Sequence, residues 1–223
     1  MRPWAMVGGA NKWMRLAGSL LCGAWLTQGA PVLHARDADS FTVTVRLQVA
    51  RAIAPRVLSA VLRDEAESLW RPYGVQLAWS ADAGVADGDE ANGFSIDATI
   101  EHSMLSPWVA VLGNASIGLV TPRQPIRVSF DATERVLARR IPAPTQQVVR
   151  DRDLARALGR VLAHEIGHVL LAAPTHDAAG LMRANFTATD LAGGDRSPFR
   201  LLPDDVARLH NRVRALTAIG PAH

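Results

Sequence analysis

Cysteine is almost missing from this chain of 223 residues: the one thiol, Cys22, lies in an apolar stretch near the N-terminus. Beyond that stretch the sequence therefore has no disulfide framework, no cysteine nucleophile and no cysteine-bearing zinc site. Export is still open, because a domain of this size buries enough surface to hold together without disulfides. Acidic residues are missing from the beginning, with none before Asp37, and glutamate is missing from the end, with none after Glu165. Tyrosine occurs once, at Tyr73. A global excess of positive charge is also missing, although a pI near 9.9 suggests one. The formal charge is +3, and Arg2, Lys12 and Arg15 supply all of it. Taking these three from the 24 basic side chains leaves 21, matching the 21 acidic ones. A neutral domain has no electrostatic footprint for nucleic acid. With 48% hydrophobic and 20% charged residues the chain can bury a core, which excludes a disordered or collagen-like protein.

The early positive charges have a second meaning. They precede an apolar run of eleven residues, Leu16 to Leu26, which Gln28, Gly29 and Pro31 then break. This is the layout of a secretory signal peptide, over 1–35, and it is shorter than the roughly 20 apolar residues of a membrane-spanning helix. Ala35 is the expected cleavage point, with Ala30 and Gly29 as alternatives. An uncleaved anchor is the rival reading of the same stretch. Cys22 follows Leu20 and Leu21 rather than a small residue, which argues against a lipid-modified cysteine. The mature domain is then 36–223, exported to the periplasm or secreted.

Residues 41–49 alternate without a fault, with Phe41, Val43, Val45, Leu47 and Val49 on one face, and predict a half-buried strand. Pro55 opens a helical pattern with Leu58, Val61, Leu62, Leu69 and Trp70 in one stripe, ended by Pro72 and Gly74. Val75, Leu77 and Trp79 mark a second strand, and 80–93 reads as a loop. Phe94, Ile96, Ala98 and Ile100 mark a third strand. Residues 108–121 hold an interrupted strand, or a hairpin broken near Gly113 and Asn114; Ile126, Val128 and Phe130 give a last strand. A short helix around Glu134–Arg139 and a loop at Pro142 and Pro144 precede a long helix, about 151–171, with Asp151 or Asp153 placed to cap it. An irregular segment then leads to a final helix opened by Pro203 and striped with Val206, Leu209, Val213 and Leu216. No internal repeat and no linker divides this stretch.

The long helix carries His164-Glu165-Ile166-Gly167-His168, the HExxH pattern. Residues four apart on a helix lie about 40° apart in azimuth and one turn along, so two imidazoles at that spacing face one metal ion. Glu165 is rotated by about 100° and flanks the ion without having to bind it. A zinc ion with three protein ligands keeps a fourth position for water and lowers its pKa to about 7. A carboxylate beside that water takes its proton as it attacks a carbonyl, then passes it to the departing amine. Composition alone produces such a motif on the order of once per hundred chains of this length. Here it sits in a predicted helix and is followed by His176 and Met182.

Two histidines leave the site one ligand short. His176 lies beyond Pro174, where the helix has ended, and a returning loop would present it. A glutamate from a later helix is ruled out by composition, while Asp177, Asp190, Asp204 and Asp205 remain as carboxylate alternatives. Asp177 also suits a hydrogen-bonding partner of a ligand. Gly167 either lets another segment approach closely or serves helix packing. His102, His210 and His223 read as surface residues, His34 leaves with the leader, and the arginines between Arg135 and Arg152 read as a solvated face.

On His164, Glu165, His168 and His176, with Gly180-Leu181-Met182 as a Met-turn and the order of strands and helices, the chain resembles the metzincin clan of zinc metallopeptidases. The likeness covers most of 41–217. The clan pattern is HExxHxxGxxH; here Leu171 stands at the turning glycine and Pro174 at the third histidine, so His176 comes two residues late. The tyrosine that some members place after the Met-turn is absent. The resemblance implies an α+β, zincin-like fold: a mixed twisted sheet of about five strands on two helices, with a long active-site helix and a C-terminal helix. It implies Zn²⁺ held by His164, His168 and His176, Glu165 as general base, Met182 as a floor beneath the metal, and peptide lying antiparallel along an edge strand within 108–121.

The expected protein is thus an exported, monomeric, single-domain zinc endopeptidase acting on peptides or proteins. It binds no nucleic acid and meets a membrane only if the leader stays. No mature cysteine is available to block the metal, so cysteine latency is not expected. The rivals are a non-catalytic zinc-binding envelope protein and a three-histidine metal-dependent hydrolase of a non-peptide substrate such as RNA. A peptide deformylase is excluded by the missing cysteine ligand.

Overall fold

A computed structural model describes residues 40–50, 56–80, 94–102, 112–115, 123–139 and 146–219. The expected leader, nearly all of the expected loop at 80–93, the loop at Pro142 and Pro144, and most of 108–121 lie outside the described residues.

Strand β1 (Phe41–Val49) forms where the alternation is unbroken, and Phe41, Val43, Val45 and Leu47 are buried on its inner face. Its outer face carries Arg46, which reaches across the sheet to Asp97 at 2.8 Å and Ser95 at 2.7 Å. Helix α1 (Arg56–Trp70) buries Leu62, Ala66, Leu69 and Trp70, an i, i+4, i+7, i+8 stripe. A 3₁₀ turn through Pro72 ends it, and β2 (Val75–Ser80) then runs parallel to β1, a pairing for which α1 is the required crossover. Strand β3 (Ser95–Glu101) lies parallel on the other side of β1, and β5 (Arg123–Ser129) lies parallel to β3. The three-residue β4 (Gly113–Ala115) is antiparallel to β5 and forms the edge, giving the order β2-β1-β3-β5-β4. This is the expected α+β arrangement with a mixed five-stranded sheet.

Helix α2 (Phe130–Ala138) begins earlier than the sequence pattern suggested. Phe130 was expected to close the strand, but the Ser129 hydroxyl accepts from the Ala132 N–H at 3.1 Å and caps a helix there. Helix α3 (Gln147–Leu171) also begins a turn early. Asp151 and Asp153 do not cap it: both lie inside, one accepting from Gln147 at 2.6 Å and the other pairing with Arg156 at 3.2 Å. The added turn carries the exposed Val148 and Val149, which no amphipathic pattern marks. Helices α1 and α3 pack together, and α3 lies against β4 and β5. The irregular segment holds a short helix, α4 (Ala188–Ala192), opened by a Thr187–Asp190 capping box. Helix α5 (Pro203–Ile219) packs on α3 and buries Leu209, with Val206, Val213 and Leu216 partly covered. Tyr73 anchors this region to the first half of the chain, its hydroxyl accepting from the Leu201 N–H at 2.8 Å. Among the described residues no helix is long and apolar enough to cross a membrane.

Candidate metal centre

Helix α3 supplies His164 and His168 one turn apart on a buried stretch, and the chain after it must reverse to bring in His176. It reverses through a Schellman turn. Ala172 takes the left-handed conformation at φ 47°, its N–H reaching the Val169 carbonyl at 3.3 Å while the Ala173 N–H reaches His168 at 3.2 Å. The helix therefore runs through Leu171, and the turn comes one residue later than the clan's glycine would put it. The returning segment is held by the Asp177 N–H on the Met182 carbonyl at 2.9 Å.

The three imidazoles converge. His168 Nε2 lies 3.1 Å from His164 Nε2 and 3.2 Å from His176 Nε2. The rings of His164 and His176 are nearly parallel, at 8°, and His168 stands at about a right angle to both, 90° and 88°. The tautomers of the first pair follow from their other nitrogens. His164 Nδ1 faces the Leu181 carbonyl at 2.7 Å, and His168 Nδ1 faces the Ala173 carbonyl at 2.7 Å. A carbonyl only accepts, so each Nδ1 carries the proton and each Nε2 keeps a lone pair. Burial, with smaller contributions from the neighbouring imidazoles, pushes His164 down to about 4, and burial also lowers His168. Both rings are thus neutral and cannot share a proton between their Nε2 atoms. Two lone pairs at 3.1 Å repel unless a cation lies between them. A tetrahedral ion with metal–nitrogen bonds of about 2.0–2.1 Å sets its ligand nitrogens about 3.3 Å apart, so the donor set suits a zinc-sized ion.

Among the described residues these three histidines are the group whose donors converge as a metal requires. Three of the four carboxylate alternatives are engaged elsewhere. Asp190 caps α4 and meets Arg183 at 2.9 Å. Asp177 faces Asp205, whose carboxyl is pushed up to about 6 by burial first and by Asp177 next. His102 stays outside the site, exposed and 2.7 Å from Asp131.

Glu165 is buried beside the histidines without joining them, and burial pushes its carboxyl up to about 8. It lies hard against the edge strand: a Cβ added at Gly113 would sit 2.5 Å from Glu165 Oε1 and 2.7 Å from its Cγ. Gly167 has a similar reason. A Cβ there would collide with the Met182 sulfur, so the missing side chain lets the Gly180–Met182 turn press onto α3. That turn also supplies the carbonyl that orients His164. His164, Glu165 and His176 open into a cleft of about 720 Å³, bounded by Gly113 on one side and the 184–189 segment on the other.

Sequence patterns did not reveal several contributors. The Leu181 and Ala173 carbonyls orient imidazoles but have no side-chain signature. Phe186 stands edge-on to His164 at 5.4 Å and stacks on Phe199 at 5.2 Å. Arg160, fully buried one turn before His164, lies over Phe199 at 4.6 Å and donates to Glu65 at 2.8 Å and to the Asp190 carbonyl. Both Arg160 and Glu65 are charged residues that a pattern reader assigns to solvent.

No protein-family model and no curated protein sequence matches the chain. Among solved structures it is similar to an archaemetzincin from Methanopyrus kandleri, at 13% identity and a TM-score of 0.47, over 81% of this chain and 99% of that one. It is also similar to a zinc-dependent peptidase from Methanocorpusculum labreanum (strain Z), at 13% identity and a TM-score of 0.48, over 75% of this chain and 99% of that one.

Proposed function

We propose that the protein is a zinc-dependent endopeptidase, exported by way of its first 35 residues. The observation that carries the proposal is the meeting of three imidazole Nε2 atoms, 3.1 and 3.2 Å apart, beside a buried carboxyl in an open cleft. His164, His168 and His176 would hold the ion. When bound, zinc lowers the pKa of a water molecule to about 7 and polarises a carbonyl. Leu181 and Ala173 keep two of the imidazoles in the tautomer that binds. Burial alone pushes the Glu165 carboxyl up to about 8, but the charge of a bound zinc ion would favour its carboxylate form, which would accept the proton of the attacking water and return it to the leaving amine. Gly113 leaves room for that carboxyl beside the edge strand. On one side of β4 no described strand is paired, which suits an extended peptide lying along it and favours cleavage within a chain over trimming of an end.

Zinc per molecule, measured by elemental analysis on the purified chain and on His176→Ala and Glu165→Ala, tests this reading. One zinc is expected in the parent and in Glu165→Ala, with binding lost or greatly weakened in His176→Ala. Peptide-library cleavage is expected in the parent and absent in Glu165→Ala. A folded parent that takes up no zinc, or unchanged cleavage by Glu165→Ala, would sink the mechanism. Zinc retained by a parent that cleaves no peptide would favour a structural metal.

A further inference from the structure

The cleft contains a positive charge that the chemistry above does not use. Helix α2 turns Val136 and Arg139, three residues apart and so on one face, toward the same cavity that His164, Glu165 and His176 line. Arg139 is the residue that ends the helix, and its side chain is exposed. Among the described residues its guanidinium makes no ion pair and no hydrogen bond. The lining also includes the neutral polar side chains of Asn185 and Thr189, while the Thr187 hydroxyl is held by the Asp190 capping box. Glu165 is the one carboxylate among the lining residues, and it lies against Gly113 at the edge strand. The cavity thus joins a metal-binding triad to an unpartnered guanidinium with no counter-charge of its own.

We infer that Arg139 is a specificity-determining residue: the cleft selects peptides with a carboxylate close to the scissile bond. The inference rests on the peptidase reading and adds the substrate class to it. The carboxylate comes from an Asp or Glu side chain beside the bond or from a nearby free C-terminus. A guanidinium recognises either by paired N–H donors, a geometry that lysine cannot match. The open cleft screens the pair, so discrimination of about five- to tenfold is expected rather than an absolute requirement.

The test is calorimetric binding of short peptide hydroxamates to the zinc-loaded full chain. The hydroxamates carry Glu, Gln or Lys beside the metal-binding group, each with an amidated end; a fourth carries Gln and a free C-terminus. The expected order is Glu tighter than Gln by about five- to tenfold, with Lys weakest. Tight binding by the fourth compound and not by the Glu compound would assign the selected carboxylate to the chain end. Arg139→Gln should erase the difference and leave the Gln compound within about twofold of its parent affinity. Arg139→Glu should reverse the order in favour of Lys. Equal affinities in the parent, or an equal loss for all compounds in Arg139→Gln, would overturn the inference. If the compounds bind in the expected order but no library peptide is cleaved, the carboxylate selectivity of the cleft through Arg139 stands and the endopeptidase reading falls. Library cleavage with no acidic preference removes this inference alone. If no hydroxamate binds the zinc-loaded chain, both fall.

Discussion

Replacing Glu65 by glutamine tests how the metal-bearing helix is held in place. Glu65 is 3% exposed and lies on α1, facing α3. One of its oxygens accepts from Arg160 Nε at 2.8 Å, and the other accepts from Arg196 Nε at 3.1 Å and Nη2 at 2.7 Å. Glutamine keeps the shape, removes the charge and turns an amide donor toward one of the two arginines. Arg160 is 0% exposed, and one of its terminal nitrogens already lacks a partner, so the variant leaves a buried cation without its counter-ion. Breaking a buried pair in this way costs about 3–5 kcal/mol. For a domain of this size each kcal/mol moves Tm by about 2–4 °C, so a fall of about 6–20 °C is expected at pH 7. The pH dependence adds a sharper requirement. Burial raises the Glu65 pKa, but the hydrogen bonds and charges of Arg196 and Arg160 outweigh it and hold the carboxyl below its ordinary range. A carboxyl depressed by folding contributes stability that is complete above its unfolded pKa, about 4.3, and is lost as pH falls through the folded value. The gap between parent and Glu65→Gln should therefore be widest near neutrality and close in acid. Thermal melts of both proteins between pH 7 and pH 3 measure it. A gap under about 2 °C at pH 7, or one that stays constant down to pH 3, would refute the account.

Three further substitutions probe the site's packing. Gly113→Ala puts a methyl group where the Glu165 carboxyl lies, so cleavage should fall by about a hundredfold while zinc content and Tm hold; unchanged turnover would show that the carboxyl works from another position. Gly167→Ala gains about 1 kcal/mol of helix propensity but drives a Cβ into the Met182 sulfur; overpacking of about 1–3 kcal/mol should win and lower Tm, and a rise in Tm would contradict the close approach. Ala172→Gly relieves the left-handed residue at the end of α3 and should raise stability by about 1 kcal/mol in denaturant unfolding, whereas a loss of stability would mean that φ of 47° carries no strain.

Much of the fold can be read from periodicity. The faultless alternation of 41–49 and the stripe ending in Trp70 lead to β1 and α1, because one buried face at a fixed spacing admits one backbone geometry. Boundaries set by single hydrogen bonds are harder to read. Ser129 starts α2 through its hydroxyl, and the first turn of α3 passes through valines that face water, so neither limit shows in an apolar pattern. The charged pair Glu65 and Arg160 is invisible for a related reason: each is tolerated inside only because the other, 95 positions away, is there to meet it.

The candidate site divides along the same line. Two imidazoles four residues apart on a helix must share a face, so His164 and His168, with Glu165 turned aside, were determined by local geometry before any tertiary contact formed. The position of His176 was not, because the chain between Leu171 and His176 has no period and its spacing departs from the metzincin pattern. A Schellman turn at Ala172, a carbonyl from Ala173 and a returning segment tied to Met182 bring that ring to 3.2 Å from His168. The placement of Glu165 against Gly113, and of Arg139 in the same cleft, also depends on helices and an edge strand meeting across long stretches of sequence. Spacing along one helix is set by covalent geometry, whereas the meeting of separate elements is set by what their surfaces bury together.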